Sequence, residues 1–373
     1  MNKYIISLFA FIDSSSFIMY ITGVPEVGFY GATLGAKLIL LIFYRRSAAT
    51  DLLYAQGVLY FIIVGGVVNS IIQSEWNSTD MQAFGFVAHM ICTCWVVDYS
   101  NYRRYFSSCA NAILACSLLF LAMFLAGHIE VDLNGRHTFF GAHPNLGGEI
   151  FAAGVFASLI GQDAKRNNVQ VVILGAAVMV LESRAALITI LLMYFLKFLD
   201  VINYRRGMLQ TIAIGTAVCV VVAVAAYSVD WSSLLLIDDP YRGVGTGVAG
   251  RSERWEFGWN AFLSAPVFGN GYAFYYDQDV PGAHNFFIYL LALFGMFGVL
   301  LLMMYIFLGY ILYKNNPRVA RVVIGFALLC IFNDRLFDLN PYPFFLHVIL
   351  LTVPRFGAYL GTREDPRMQA AKY

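Results

Sequence analysis

The sequence predicts an all-α polytopic membrane protein of about 12 transmembrane helices, forming one integral domain over residues 1–373, and three observations carry that prediction. Of the residues, 60% are hydrophobic and only 13% charged, against roughly 45–50% and 25% in soluble domains. Apolar runs near the roughly 20 residues that cross a bilayer recur at 4–22, 27–44, 52–73, 80–98, 106–127, 144–162, 168–182, 184–200, 208–228, 290–313, 319–335 and 342–360. Lysine and arginine collect in alternate connections between these runs, as they do where short cytoplasmic loops gather positive charge.

The first run follows Lys3 and is interrupted by Asp13, and no small-x-small cleavage site follows it, so it reads as a retained span rather than a signal peptide. The second contains Lys37, whose long stem is expected to snorkel toward the cytoplasm. The stretch 168–200 is too long for one ordinary span and is broken by Glu182-Ser183-Arg184, which predicts two short spans meeting at Arg184 on the outer side. Charge parity supports the division. With twelve spans both termini are cytoplasmic, and 17 of the 24 cations face the cytoplasm, from Lys3, Arg45 and Arg46 through Arg103, Arg104 and Lys197 to Lys314, Arg318 and Lys372. A single span there would turn every later cluster outward.

With Lys37 set aside, six cations remain on the outer side: Arg136, Arg184, Arg242, Arg251, Arg254 and Arg335. All are arginine, whose permanently charged planar fork suits bidentate contact with phosphate. The competing reading pairs each with an outer carboxylate such as Asp238, Asp239, Glu253 or Glu256. Exposed pairs of that kind contribute little, and the six together favour an anionic ligand. The six cysteines lie in apolar runs without CxxC spacing. They imply neither a disulfide framework nor a metal site, and read as small core-facing or lipid-facing residues. Membrane lipids are expected partners and nucleic acid is not.

The longest polar stretch, 229–283, is placed outside between the ninth and tenth spans, and a loop of that length in a compact protein is usually functional. Gly243, Gly245, Gly247 and Gly250 form a flexible lead-in. The following "RSERWEFGWNAFLS" has helical spacing, with Trp255, Trp259 and Phe262 on one stripe. This predicts a short amphipathic helix on the outer interface, with tryptophans at headgroup depth. Arg251 stands at its N-terminal end, where free backbone N–H groups and the helix dipole attract anions. Pro266, Gly269 and Gly271 end the helix, His284-Asn285 re-enters the membrane, and a bend is expected near Gly295. With an unperturbed pKa of about 6.5, His284 is the best available general base; a packed, hydrogen-bonded histidine is the competing reading. Asp238-Asp239 reads as a solvated turn before Pro240, with a metal or base site as its competitor.

Five segments in order resemble the O-antigen ligase and O-antigen polymerase family of bacterial membrane glycosyltransferases. They are "RHTFFGAHPNLGG", "ESRAAL", "GRSERW", "APVFGNGY" and "HNFFIYLLALFGMFG", running from about 136 to 300. The acidic residue usual in that family after His-Asn is absent here, where Leu291, Ala292 and Leu293 stand. The resemblance implies a GT-C-like fold in the bacterial inner membrane, termini cytoplasmic and active site periplasmic. It implies that Arg184 and Arg251 contact the pyrophosphate of an undecaprenyl-linked glycan and that His284 activates the acceptor hydroxyl, and Arg254 or Arg242 is expected to assist the two arginines. Arg136 is a further phosphate candidate. His143, Asn145 and Asn285 are expected along the substrate path, a helix-start cap by Pro144-Asn145 being the alternative for the first two.

Fixed arginines stabilise a leaving pyrophosphate without a divalent ion, and the first outer loop, "TGVPEVG", offers only Glu26 rather than an acidic pair. Metal-independent, inverting transfer is therefore expected, with no cofactor. A ligase using a lipid A-core acceptor is favoured. The alternative within the family is a repeat-unit polymerase using a lipid-linked acceptor glycan, and a chain-length regulator is a candidate partner for either. From another class, a transporter or flippase for lipid-linked sugar competes. Such carriers place charge at the bilayer midplane and are built from related halves, whereas here polar residues gather on one face and no internal repeat is found.

Overall fold

The computed structural model describes residues 2–44, 64–65, 68, 72, 78–132, 135–161, 164–205, 251–271, 285–327, 329 and 340–353. The predicted spans at 52–73, almost entirely, and 208–228 lie outside the described residues, as do 229–250 and 272–283 of the predicted outer loop. What is described is helical, with only two isolated β-bridges.

The chain begins with α1 (Asn2–Ser14) and α2 (Phe17–Thr22), so the first predicted span is two helices rather than one. The three serines at 14–16 explain the interruption. Ser14 Oγ donates to Ala10 O (2.7 Å) and Ser15 Oγ to Ile12 O (2.8 Å), local bonds that compete with the helical ladder. Next come α3 (Glu26–Phe43), α4 (Ser78–Val96), α5 (Tyr102–Leu125), α6 (Pro144–Gly161), α7 (Ala164–Val180) and α8 (Arg184–Arg205). The described chain continues with α9 (Arg251–Ser264), α10 (Phe286–Phe294), α11 (Met296–Asn315), α12 (Pro317–Ala327) and α13 (Pro341–Thr352).

Among the described residues three helices, α3, α5 and α11, are long and apolar enough to cross a membrane, and shorter apolar helices cover Phe84–Val96, Asn168–Val180 and Pro341–Thr352. The predicted break within 168–200 is present: α7 ends at Val180, Glu182 has φ 51°, and α8 starts at Arg184. So is the bend at Gly295, which separates α10 from α11 with φ 54°. A Cβ at Gly295 would stand 2.6 Å from Gly269 N, so both the backbone angle and the space require glycine.

The core is built around α6, which is buried along nearly its whole length. Its small residues let neighbours approach at backbone distance, as membrane helix contacts require. At Gly154 an added Cβ would meet Ile113 of α5 at 2.7 Å, and at Gly161 it would meet Phe106 C at 2.7 Å. Ser158, Gln170 and Asn111 add a hydrogen-bonded chain across α6, α7 and α5, at 2.9 and 3.0 Å. Phe156 stacks on Phe326 of α12 with centroids 4.1 Å apart. Phe156→Ala is expected to destabilise the protein by about 3–5 kcal/mol, read as a lowered thermal unfolding midpoint in detergent.

Contacts sort the helix ends into two sets. At one end, Phe124 of α5 packs on His137, Gly147 and Gly148 of α6 lie against Leu181 and Ser183, and Asn340 Nδ2 donates to Glu149 Oε2 (3.2 Å). At the other, Gly161 meets the first turns of α5, Lys197 Nζ donates to Leu159 O (3.4 Å), and Asn316 Nδ2 donates to Tyr102 OH (3.4 Å). Helices α5 to α8 therefore alternate in direction. Arg136 and Arg184 fall at the first end, and Arg103, Arg104, Lys197, Lys314 and Arg318 at the second.

Lys37 corrects the expectation of snorkelling. It is fully buried, paired with Asp13 Oδ1, and donates to Thr93 Oγ1 at 2.9 Å. Asp13 Oδ2 accepts from Thr93 Oγ1 (2.9 Å) and Tyr105 OH (2.8 Å). The Phe344 ring lies 4.9 Å from Nζ. A charge in an apolar interior is tolerated when it is paired and its remaining donors are satisfied. Asp13 and Thr93 supply both conditions, so the side chain turns inward to them instead of running to the surface.

Candidate functional site

Two groups of predicted site residues are built by separate parts of the chain. In the first, Val131 bridges His137 and Phe139 bridges Ala142, folding the connection between α5 and α6 into a tight loop. The loop carries Arg136, which is 8% exposed and whose Nη2 pairs with Asp132 Oδ2 at 3.2 Å. The pairing reading thus describes one face of Arg136. Its other contacts converge on the start of α6: Nη1 lies 3.5 Å from Asn145 Oδ1 and Nη2 3.3 Å from His143 Nε2. Arg136 Nε is buried without a partner among the described residues.

The helix-start cap is made by the imidazole of His143, whose Nδ1 accepts from Asn145 N (3.3 Å), with Pro144 as the first helical residue. Proline suits that position because it has no N–H to satisfy there. The other ring nitrogen, Nε2, lies against the Arg136 guanidinium at 3.3 Å.

Arg184 is the first residue of α8 and follows Ser183, which packs with Ala186 against Gly148 of α6. That close approach brings the turn before Arg184 to the end of the bundle that holds Arg136, His143 and Asn145. Gly148→Leu is expected to push the turn away from α6. Overpacking of this kind costs about 1–3 kcal/mol, and a lowered thermal unfolding midpoint is the outcome to measure.

The second group stands on α9 and α10. Arg251 is the first residue of α9, and Arg254, one turn on, is half-buried. The Pro266–Gly271 segment pins the end of α9 to the end of α10: Asn270 Nδ2 donates to Ala261 O (2.8 Å) and Ala292 O (2.9 Å), and Gly271 N donates to Leu293 O (3.1 Å). Gly269, at φ 72°, lies so close to this backbone that a Cβ would be 2.6 Å from Phe294 N. Asn285, itself buried, caps α10, its Oδ1 accepting from Phe287 N (3.0 Å) and Ile288 N (3.2 Å). Asn285→Ala is expected to cost about 1 kcal/mol, measured by thermal unfolding.

The residues that α9 buries are small ones, not those of the stripe expected at the membrane interface. Gly258 and Ala261 are buried, whereas Trp259 is 47% exposed and Trp255 is half-buried with its Nε1 unpartnered among the described residues. Two helices pinned at their ends need small residues where they touch, and the large indole of Trp259 is turned outward. Arg242, Arg335 and His284 lie outside the described residues.

Residues 169–303 match the family model described as O-antigen ligase. This stretch is similar to that family. It includes Arg184, Arg242, Arg251, Arg254, His284 and Asn285, and it begins after Arg136, His143 and Asn145. The match supports the O-antigen ligase/polymerase family and, through it, a ligase- or polymerase-type membrane glycosyltransferase working on lipid-linked glycan. No match is found among curated proteins or among solved structures.

Sequence reasoning did not find the Asp13–Lys37 network or the Asn340–Glu149 hydrogen bond. A signal for the first was present: single ions of opposite sign in consecutive apolar runs. For the second there was none, since Glu149 and Asn340 are 191 positions apart.

Proposed function

We propose that this protein transfers a glycan from undecaprenyl pyrophosphate to an acceptor sugar hydroxyl at the periplasmic face of the inner membrane, as an O-antigen ligase whose acceptor is the lipid A-core. The observation that carries the reading is the O-antigen ligase segment at 169–303, in which Arg184 and Arg251 each open a helix. Helix N-termini present free N–H groups and the positive end of a dipole, so each guanidinium is reinforced as a ligand for phosphate. The end of the bundle that holds Arg136 and Arg184 is taken as periplasmic, because the other carries Arg103, Arg104, Lys197, Lys314 and Arg318.

In this reading the donor diphosphate lies against Arg184 and Arg251, with Arg254 or Arg242 assisting. The guanidinium of Arg136, beside His143 and Asn145, suits one more phosphate oxygen. His284 takes the proton of the acceptor hydroxyl as that oxygen bonds to the anomeric carbon. The bond from that carbon to the diphosphate oxygen breaks on the opposite face, inverting configuration. The departing electron pair stays on the diphosphate, where the arginines stabilise it without a metal.

Purified protein, given a defined undecaprenyl-pyrophosphate glycan and either lipid A-core or a second lipid-linked repeat, tests the proposal in one vessel. Glycan appearing on lipid A-core, with and without chelator, is the expected result. Transfer only to the lipid-linked repeat makes the protein a polymerase. Transfer that needs divalent metal returns Asp238-Asp239 to the chemistry, and no transfer to any acceptor favours the carrier reading.

A further inference from the structure

The Asp13–Lys37 network is closed, but beside it lies a small cavity that is not. It is lined by Asp13, Ser16, Tyr30, Thr33, His89 and Phe344, where the break between α1 and α2 meets α3, α4 and α13. Ser16 is 3% exposed and its hydroxyl has no hydrogen-bond partner among the described residues. His89, also 3% exposed, has Nε2 3.1 Å from Tyr30 O. A carbonyl can only accept, so Nε2 carries the proton and Nδ1 is left as an acceptor.

We propose that this cavity binds a single water molecule that bridges Ser16 Oγ and His89 Nδ1, joining the interrupted first helix to α4. Size and donor count both select water. The space holds about one molecule of it, and a buried water needs two to four polar partners. Here one partner is an acceptor only and the other both donates and accepts, which a neutral molecule with two protons satisfies. A cation would need carboxylate oxygens, and those of Asp13 already receive Lys37, Thr93 and Tyr105. An anion would meet the His89 Nδ1 lone pair. The broken helix gives the site its reason: backbone interruptions within a membrane domain are tolerated where they are buried in protein or line a wetted cavity.

The test uses full-length protein in nanodiscs, oxidised by brief X-ray radiolysis, which labels side chains next to bound water, and read by fragment mass spectrometry. Phe344 lines the cavity and its neighbour Phe345 does not, yet both are almost wholly buried. Phe344 is expected to oxidise several-fold faster than Phe345, and Ser16→Val, which fills the space, is expected to bring the two rates together. Ser16→Ala supplies a second readout if the valine variant fails to fold. Losing one anchor of a bridging water lowers the unfolding midpoint, whereas deleting a hydroxyl from a dry cavity removes an unsatisfied group and raises it. Equal labelling of Phe344 and Phe345 in the unaltered protein, or a raised midpoint in Ser16→Ala, overturns the proposal.

Discussion

Arg251→Ala and His284→Ala are each expected to lower glycan transfer by at least about 100-fold, the loss seen when one fixed donor to a developing negative charge is removed. The two variants should be separable. In the proposed mechanism Arg251 acts on charge that grows as the diphosphate leaves, so its loss is expected to fall on kcat with a smaller change in donor KM. In the same mechanism loss of His284 removes the proton acceptor, and transfer is expected to rise with pH as hydroxide takes over that part. Neither substitution is expected to shift the unfolding midpoint much, since Arg251 begins a helix and His284 precedes the Asn285 that makes the α10 cap. Arg251→Lys is a stringent control, because it keeps the charge and loses the planar fork. Wild-type output from either alanine variant in the purified assay removes that residue from the mechanism.

Lys37→Ala is expected to destabilise the protein by about 3–5 kcal/mol, because it leaves the buried Asp13 carboxyl without its cationic partner. Asp13→Ala should cost a similar amount by stranding the ammonium. Asp13→Leu combined with Lys37→Met should be far milder than the sum of the single losses, since apolar replacement of a whole buried pair is often close to neutral. Thermal unfolding of the unaltered protein, Asp13→Leu, Lys37→Met and the double variant in one detergent measures the coupling directly. Additive losses would show that the pair does not act as a unit. Because α1, α3, α4 and α5 all contribute to this network, the single variants are also expected to reduce the yield of folded protein. The doubly apolar variant should keep its transfer activity, as the pair has no part in the proposed chemistry.

Several features of the fold were legible because they follow from local chemistry. The arginine after Glu182-Ser183 begins a helix, and the run after Asn285 bends at Gly295, because in each case a polar or glycine interruption stands inside an apolar stretch. The helix from Arg251 to Ser264 was readable from its spacing, and the end of that helix from Pro266 and the glycines. Which residues it buries was not: Gly258 and Ala261 are covered because α10 is held beside α9 by Asn270 reaching Ala292 across 22 positions. Arg136, His143 and Asn145 were each candidates from the sequence, yet their assembly into one cluster required the loop bridges between Val131 and His137 and between Phe139 and Ala142.

The sequence by itself determined the helical class, the apolar runs and the residues that resemble the family's segments, because hydropathy and short motifs are local properties of the chain. Only the tertiary structure decided that Lys37 turns inward to Asp13, that Gly148 admits the turn before Arg184, and that α9 packs through Gly258 and Ala261. Each of these depends on what stands opposite a side chain in space. A buried charge takes whichever partner lowers its desolvation cost, and a helix face is chosen by the surface it meets.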